Sequence, residues 1–567
     1  MKRFMFFGGL LLGATGMLAT ASEVVAQDDL RLRSGTGPQR PEYVEPDLAP
    51  VPETQQQVLP PVPPPSPQEQ ELSSTARVLV TKIVLVGNTV FAEEELASIT
   101  APFENKRITI GELHELRHKL SLYYFDNGYV NSGVIIPDQQ VSDGVVRLRV
   151  IEGELTKIDL SGNQRLNPAY VSDRIMLGAG KPLNIERLQE TLSLLQQDPL
   201  IKQINAQLQP GFQPGESVLR VRIEEHIPYQ VIVAADNERS PAVGAEQARV
   251  TAIHRNVTGG GDVASAQLGS TGDLTDFSLA YSYPINARGT TVETLYAQTE
   301  SSVVEEPFDL IDIENESESL ELSLAHPFRR TLSRTLTGSV GLSAKHSETL
   351  LLGEPFSFSP GVQDGEADVT VVRLSLDWTE RTRSAALALS NTFRIGVDLF
   401  GPTINDDAPD SEFTTWQGQL QYAKRLDILT SQIVLRTFAQ LAADPLLPAE
   451  KFAVGGARTV RGYRESQFVR DNGVAASLEW RFPVLPDEGG ILRLQLVPFV
   501  DFGRSWDDGK TSEAEEIASV GLGFLWDPTR AWHAELFWGH ALDDVENLND
   551  DDLQDDGVHF LLSYSVF

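Results

Sequence analysis

Two short runs in this chain hold residue types that could do chemistry. His114-Glu115-Leu116-Arg117-His118 matches the H-E-x-x-H spacing. That spacing puts two imidazoles one turn apart on one helical face, where they could share a zinc ion with the glutamate as base. The neighbours argue against it. Leu113 and Leu116 belong to an apolar stripe, and Lys119-Leu120-Ser121 follow, so no third ligand stands at the spacing of the extended motif. The two histidines read as a surface coincidence, and a zinc peptidase built on His114 and His118 is the disfavoured alternative. Asp501-Phe502-Gly503 spells a kinase signature, but neither a Gly-rich phosphate loop nor a His-Arg-Asp loop accompanies it. No Ser-His-Asp set can be placed. The expectation is a protein that is not an enzyme, with no cofactor and no metal.

The helix that carries His114 and His118 belongs to a repeat. Thr81-Lys82-Ile83-Val84-Leu85-Val86-Gly87-Asn88 recurs as Thr156-Lys157-Ile158-Asp159-Leu160-Ser161-Gly162-Asn163. Each copy alternates and stops at Gly-Asn, the pattern of a strand closed by a turn. Two helical patterns follow in each. Leu113, Leu116, Leu120 and Tyr123 form a stripe in the first copy, and Ile185, Leu188, Leu192 and Leu195 repeat it in the second. Both copies close with two strands, the last being Val146–Val150 and Leu219–Ile223. The unit is β-α-α-β-β, a small sheet covered by two helices. Residues 77–153 and 154–228 are the two copies.

Asp501 sits in different surroundings. From about Tyr229 to Phe567, turns rich in Gly and Asp separate segments of roughly ten residues that alternate strictly, as membrane strands do. Val474, Ala476, Leu478, Trp480 and Phe482 interleave with Ala475, Ser477, Glu479 and Arg481. Trp416 to Tyr422 and Trp532 to Gly539 follow the same rule, with aromatics suited to the interfacial belts. Lipid tolerates only helices or closed barrels, because unpaired backbone groups are too costly there. Residues 229–567 therefore predict a barrel of roughly 16 antiparallel strands. In the segment Leu492 to Gly503 the apolar face is Leu492, Leu494, Leu496, Val500 and Phe502. Phe499, Asp501 and Gly503 must then face the lumen.

The start of the chain fits export from the cytoplasm. Lys2 and Arg3 precede an apolar stretch from Phe4, and two small-residue stops end by Ala26, so residues 1–26 read as a secretory signal peptide. Residues 27–76 are a Pro-rich linker with the polyproline run Pro60-Pro61-Val62-Pro63-Pro64-Pro65. The formal net charge of −34 excludes nucleic acid as a partner. Its blocks, Glu305 to Glu318, Asp406 to Glu412 and Asp543 to Asp556, read as solvated loops. There are no cysteines, so neither disulfides nor thiolate sites exist.

This order of signal peptide, linker, two β-α-α-β-β units and barrel resembles the two-partner secretion transporters. These are the hemolysin secretion and activation proteins, within the superfamily of barrels with polypeptide-transport-associated (POTRA) domains. The sharpest match is Val460-Arg461-Gly462-Tyr463 after Gly455-Gly456, and the second is Phe499-Val500-Asp501-Phe502-Gly503. The resemblance implies a membrane β-barrel preceded by two α+β POTRA domains. It makes Val460 to Tyr463 the tip of a conduction or gating loop folded back into the barrel, and Phe499, Asp501 and Gly503 its partner strand, with Asp501 paired to Arg461. It further implies location in the bacterial outer membrane with the POTRA domains in the periplasm. The partners it implies are outer-membrane lipid, the barrel assembly machinery, and a secreted exoprotein with its own recognition domain. An outer-membrane assembly factor is the nearest alternative. Phe567 ends the chain, although Val558, Phe560, Leu562, Tyr564 and Val566 form the apolar face on the other parity.

Overall fold

A computed structural model describes residues 58–60, 77–407, 409–485, 493–508, 513–547, 549 and 551–566. The expected signal peptide and nearly all of the linker lie outside the described residues. In the first unit the sheet order is Lys82–Val86, Val145–Ile151, Gly133–Ile135. The last strand is central, parallel to the first and antiparallel to the third. The second unit repeats this with Glu154–Ser161, Glu216–Glu225 and Ile201–Pro210. Alternation in the central strands buries Val146, Leu148 and Val150, and likewise Leu219, Val221 and Ile223. The arginines between them stay exposed.

The Gly-Asn turns explain why both copies keep that pair. Gly87 and Gly162 have φ of +97° and +89°. A Cβ there would sit 2.6 and 2.1 Å from the carbonyl oxygens of Val150 and Ile223, so only glycine lets the turn close on the central strand. The turns are held from below by a repeated carboxylate. Glu152 accepts from the Thr89 and Val90 amides, and Glu225 accepts from those of Gln164, Arg165 and Leu166.

Helices Ile110–Asp126 and Ile185–Gln196 bury their stripes against these sheets. The second stripe is as expected. In the first, Tyr124 rather than Tyr123 is the fully buried ring, and both pack against Phe91 with centroids 4.8 Å apart. His114 and His118 lie half-buried beside the stripe, and the intervening Glu115 pairs with Lys119 at 2.7 Å. Among the described residues no group of three or more His, Cys, Asp or Glu could hold a metal ion. The first unit also carries a two-stranded ladder, Arg77–Val80 with Lys106–Thr109, that the repeat pattern did not predict.

Thr109 starts the Ile110–Asp126 helix with a capping box: its hydroxyl accepts from the Glu112 amide, and the Glu112 carboxylate accepts from the Thr109 amide at 2.7 Å. That backbone donor holds the Glu112 carboxyl below its ordinary value of 4.5. A depressed folded pKa contributes stability above the unfolded value, and that contribution is lost as pH falls below about 4.5. Thr109→Ala is expected to destabilise this helix start by about 0.5–2 kcal/mol. In the parent chain, protection of the Thr109 amide relative to its intrinsic exchange rate should fall below pH 4.5, and in Glu112→Ala that extra acid sensitivity should vanish.

Hydrogen bonds join the two units to each other and the second unit to the barrel. The Asn131 side chain donates to the Gly215 carbonyl and the Ser217 hydroxyl, each at 3.0 Å, and the Ile185 amide donates to the Gly128 carbonyl. Further along, the Asn167 amide donates to the carbonyl of Gly259. The Tyr170 ring fills the space where a Cβ on Gly261 would lie. The turn between the second and third barrel strands is thereby docked on the second unit. From the linker, Leu59 is buried in that unit's core and donates its amide to Gln189 at 3.0 Å.

Sixteen antiparallel strands among the described residues, from Tyr229–Asp236 to Val558–Ser565, close into a barrel. The seam joins the last strand to the first through the pairs Leu561↔Asp236 to Ser565↔Ile232. Above these pairs the Asn237 side chain extends the seam, donating to the Val558 carbonyl and accepting from the Phe560 amide. Alternation sorts the wall as the sequence predicts. Leu478, Trp480, Val500, Phe502, Leu536 and Trp538 are exposed on the outside, while Ser477, Glu479, Phe499, Asp501 and Phe537 are buried inside. Such an apolar exterior does not suit a soluble monomer. Trp378, Trp480, Trp526 and Trp532 are exposed towards the end of the barrel where the docked unit lies, as an interfacial girdle requires. No helix among the described residues is long and apolar enough to cross a membrane.

Candidate functional site

The connection between the eleventh strand, Gln432–Ala442, and the twelfth, Asn472–Leu485, folds back into the lumen. Its stem is a short antiparallel pair, Phe452–Val454 with Phe468–Arg470. Gly455 and Gly456, with φ of +110° and +95°, bend the chain into the tip. Val460 and Tyr463 are buried with Phe438, Phe452, Val454, Ala475 and Ile517 in a small apolar core inside the barrel. The tip is thus packed against the wall and does not hang in water.

Arg461 sits at the centre and is 3 % exposed. Its Nε and Nη2 donate to the two carboxylate oxygens of Asp501, each at 2.8 Å, and its backbone amide donates to Oδ2 at 3.1 Å. This is the bidentate geometry a planar guanidinium favours. Nη1 donates to Glu479 at 2.8 Å and Nη2 to the Ser477 hydroxyl at 2.8 Å. The ring of Phe499 covers one side of the cation, 3.7 Å from centroid to Cζ, and Phe537 lies at 4.6 Å. Asp501 is fully buried, on the lumen side of the thirteenth strand, Arg493–Trp506. Register places it opposite Ser477.

The remaining motif residues set how closely the tip approaches. Gly462 has φ +95°, and its amide donates to His559 Nε2 at 3.3 Å. A Cβ on Gly462 would lie 2.9 Å from the backbone of Gly539, and one on Gly539 would lie 2.7 Å from the carbonyl of Arg461. Loop and fifteenth strand, Trp532–Ala541, therefore touch backbone to backbone. A Cβ on Gly503 would run into Val454 and Val460. The Tyr463 hydroxyl lies 2.9 Å from the Ala518 carbonyl and accepts from the Asp543 amide at 3.1 Å. Val460, Arg461, Gly462, Tyr463, Phe499, Asp501 and Gly503 are all brought together.

Several contributors were not singled out from the sequence. Glu479 also takes Arg436 at 2.6 Å and Arg481 at 2.7 Å, so three guanidiniums meet one carboxylate. Alternation had already put Ser477 and Glu479 on the inner face, but not their register against Asp501. Two residues of the acidic blocks leave the solvated-loop reading: Glu305 and Asp555 both pair with Arg464 of the loop and are largely buried. Arg458 of the same loop reaches Glu238 at 3.1 Å. Nothing in the arrangement offers a nucleophile beside a base. Its chemistry is electrostatic fixation of the inserted segment in a poorly hydrated place.

Comparison with known proteins finds relatives of the chain. A family model described as haemolysin secretion/activation protein ShlB/FhaC/HecB matches residues 215–525, and a POTRA domain model of the ShlB type matches residues 78–153. The chain is similar to the outer membrane transporter CdiB of Dickeya dadantii (strain 3937), 23% identical over 415 residues, covering 70% of this chain and 72% of that protein. It is also similar to the hemolysin transporter protein ShlB of Serratia marcescens, 24% identical over 422 residues, covering 72% of each. Among solved structures, CdiB from Escherichia coli superposes with a TM-score of 0.68 at 19% identity, covering 88% of this chain and 92% of that one.

Proposed function

The chain belongs to the haemolysin secretion/activation protein ShlB/FhaC/HecB family, and from that premise we propose how it moves its partner. It is a two-partner secretion translocator of the outer membrane, and its partner is a secreted exoprotein. In our reading a signal peptide of residues 1–26 sends the chain across the inner membrane. The barrel assembly machinery then inserts the barrel into lipid, and the two POTRA units project into the periplasm.

The unfolded partner is a large protein of hemolysin or adhesin type with its own recognition domain. It meets the two units first, and Ile201–Pro210, at the edge of the second sheet, takes an extended segment of it by strand addition. The segment then enters the lumen as the loop carrying Val460 to Tyr463 leaves its seat on Phe499, Asp501 and Gly503. Folding of the partner outside draws the rest through. The observation that carries this reading is the position of that loop: a buried ion pair, Arg461 with Asp501, holds it inside the lumen.

Deleting the chain in its native bacterium is expected to abolish one large exoprotein in the medium and leave other outer-membrane barrels at normal levels. A general loss of such barrels would instead favour assembly of other proteins as its work. A pull-down with residues 77–226 as bait should retain the N-terminal part of that same exoprotein.

A further inference from the structure

The inserted loop has a second attachment, well away from its tip. Before the stem, Leu446 and Leu447 are fully buried and pack with Phe413 and with Val369 and Val371, inward residues of the eighth strand, Glu366–Arg381. The turn Pro448–Glu450 then puts Glu450 into the lumen, where it is 0 % exposed. Lys345 of the seventh strand, Arg334–Leu351, reaches its carboxylate at 3.0 Å. Arg394 of the ninth strand, Ala385–Gly396, pairs with its other oxygen. Arg373 of the eighth strand adds a further positive charge nearby and is itself paired with Glu321. Gln440 of the eleventh strand donates to the carbonyls of Glu450 and Asp471, each at 3.0 Å, which ties the two ends of the loop together.

A carboxylate this deep is tolerable only beside cations, and the cations on strands seven to nine would repel one another without it. We propose that Glu450 is a second latch on the conduit, a positioning residue that holds the base of the loop as Arg461 holds its tip. The two latches grip different parts of the wall. Glu450 holds strands seven and nine, and Arg461 holds strands twelve and thirteen. Freeing the tip alone leaves Leu446, Leu447 and Glu450 in the lumen, so a polypeptide passes only when both latches release. This rests on the reading above that the loop moves during export.

Latches held by different wall residues act additively on an opening equilibrium. In planar bilayers, the purified full-length Glu450→Gln chain should open roughly ten-fold or more often than the parent. Combining it with Arg461→Ala should multiply the two single factors. Heat-modifiable migration on gels confirms that each variant retains a closed barrel. If Glu450→Gln opens no more often, or adds nothing to Arg461→Ala, the second latch is refuted.

Labelling in cells separates this proposal from the one it rests on. The chain has no cysteine, so Val460→Cys at the tip and Leu447→Cys at the base can each be probed with a membrane-impermeant maleimide. Both should be shielded without the partner exoprotein and labelled while it is being exported. A tip that stays shielded during export defeats the moving-loop reading itself. A labelled tip with a shielded base defeats only the second latch.

Discussion

Arg461→Ala should strip most of the partner exoprotein from the medium while the barrel remains inserted and heat-modifiable. The substitution removes both side-chain bonds to Asp501 and those to Glu479 and Ser477, and leaves Asp501 fully buried without its guanidinium. Breaking one side of a buried pair costs about 3–5 kcal/mol, because the remaining charge keeps its desolvation penalty without its partner. The seated state of the tip loses that amount. The tip, no longer held flush at Gly503 and Gly539, then leaves its seat without the partner, so opening of the conduit is no longer coupled to export. Arg461→Lys tests the geometry, since an ammonium cannot span Asp501 in two bonds and still reach Glu479 and Ser477. It should export little better than alanine. Full secretion by Arg461→Ala would overturn the role given to the tip.

Gly539→Val should unseat the same tip with Arg461 intact. The new Cβ would lie 2.7 Å from the Arg461 carbonyl and from the Gly462 amide nitrogen. Both are backbone atoms, and no flexible side chain can swing aside to make room. The loop must lift, and with it Arg461 leaves Asp501. Since both substitutions abolish one contact, their effects should not add: Gly539→Val in Arg461→Ala should change little further. In the parent chain Val460→Cys is enclosed in the lumen core, and in Gly539→Val it should react with a maleimide added from outside. Slow labelling equal to the parent's would show that the tip tolerates the methyl groups.

What could be read before folding, and what could not, divides along physical lines. The side-chain period of a strand is two, so the inner and outer faces of Val474 to Phe482 and Val500 to Gly503 were legible residue by residue. Register is a different matter. That Ser477 stands across from Asp501 depends on how the connecting turn is built, and alternation does not encode it. The convergence of Arg436, Arg461 and Arg481 on Glu479 was invisible for the same reason. A helical stripe fixes a face only to within a position, and so Tyr124 took the place given to Tyr123. The ladder of Arg77–Val80 with Lys106–Thr109 has strands of four residues, too short for a pattern. Leu59 lies beside a proline run that hides its burial. Glu305 and Asp555 carry no local mark separating them from the solvated acids around them, since only the inserted Arg464 distinguishes them.

The seam of the barrel is its least bonded line. Five paired residues close it, Leu561 to Ser565 against Ile232 to Asp236, where the sixth and seventh strands share seventeen. The side-chain amide of Asn237 adds two bonds beyond them. Local opening follows the sparsest bonding, so under strain the circumference yields here before anywhere else. The wall can then widen by unzipping one edge instead of stretching every rung.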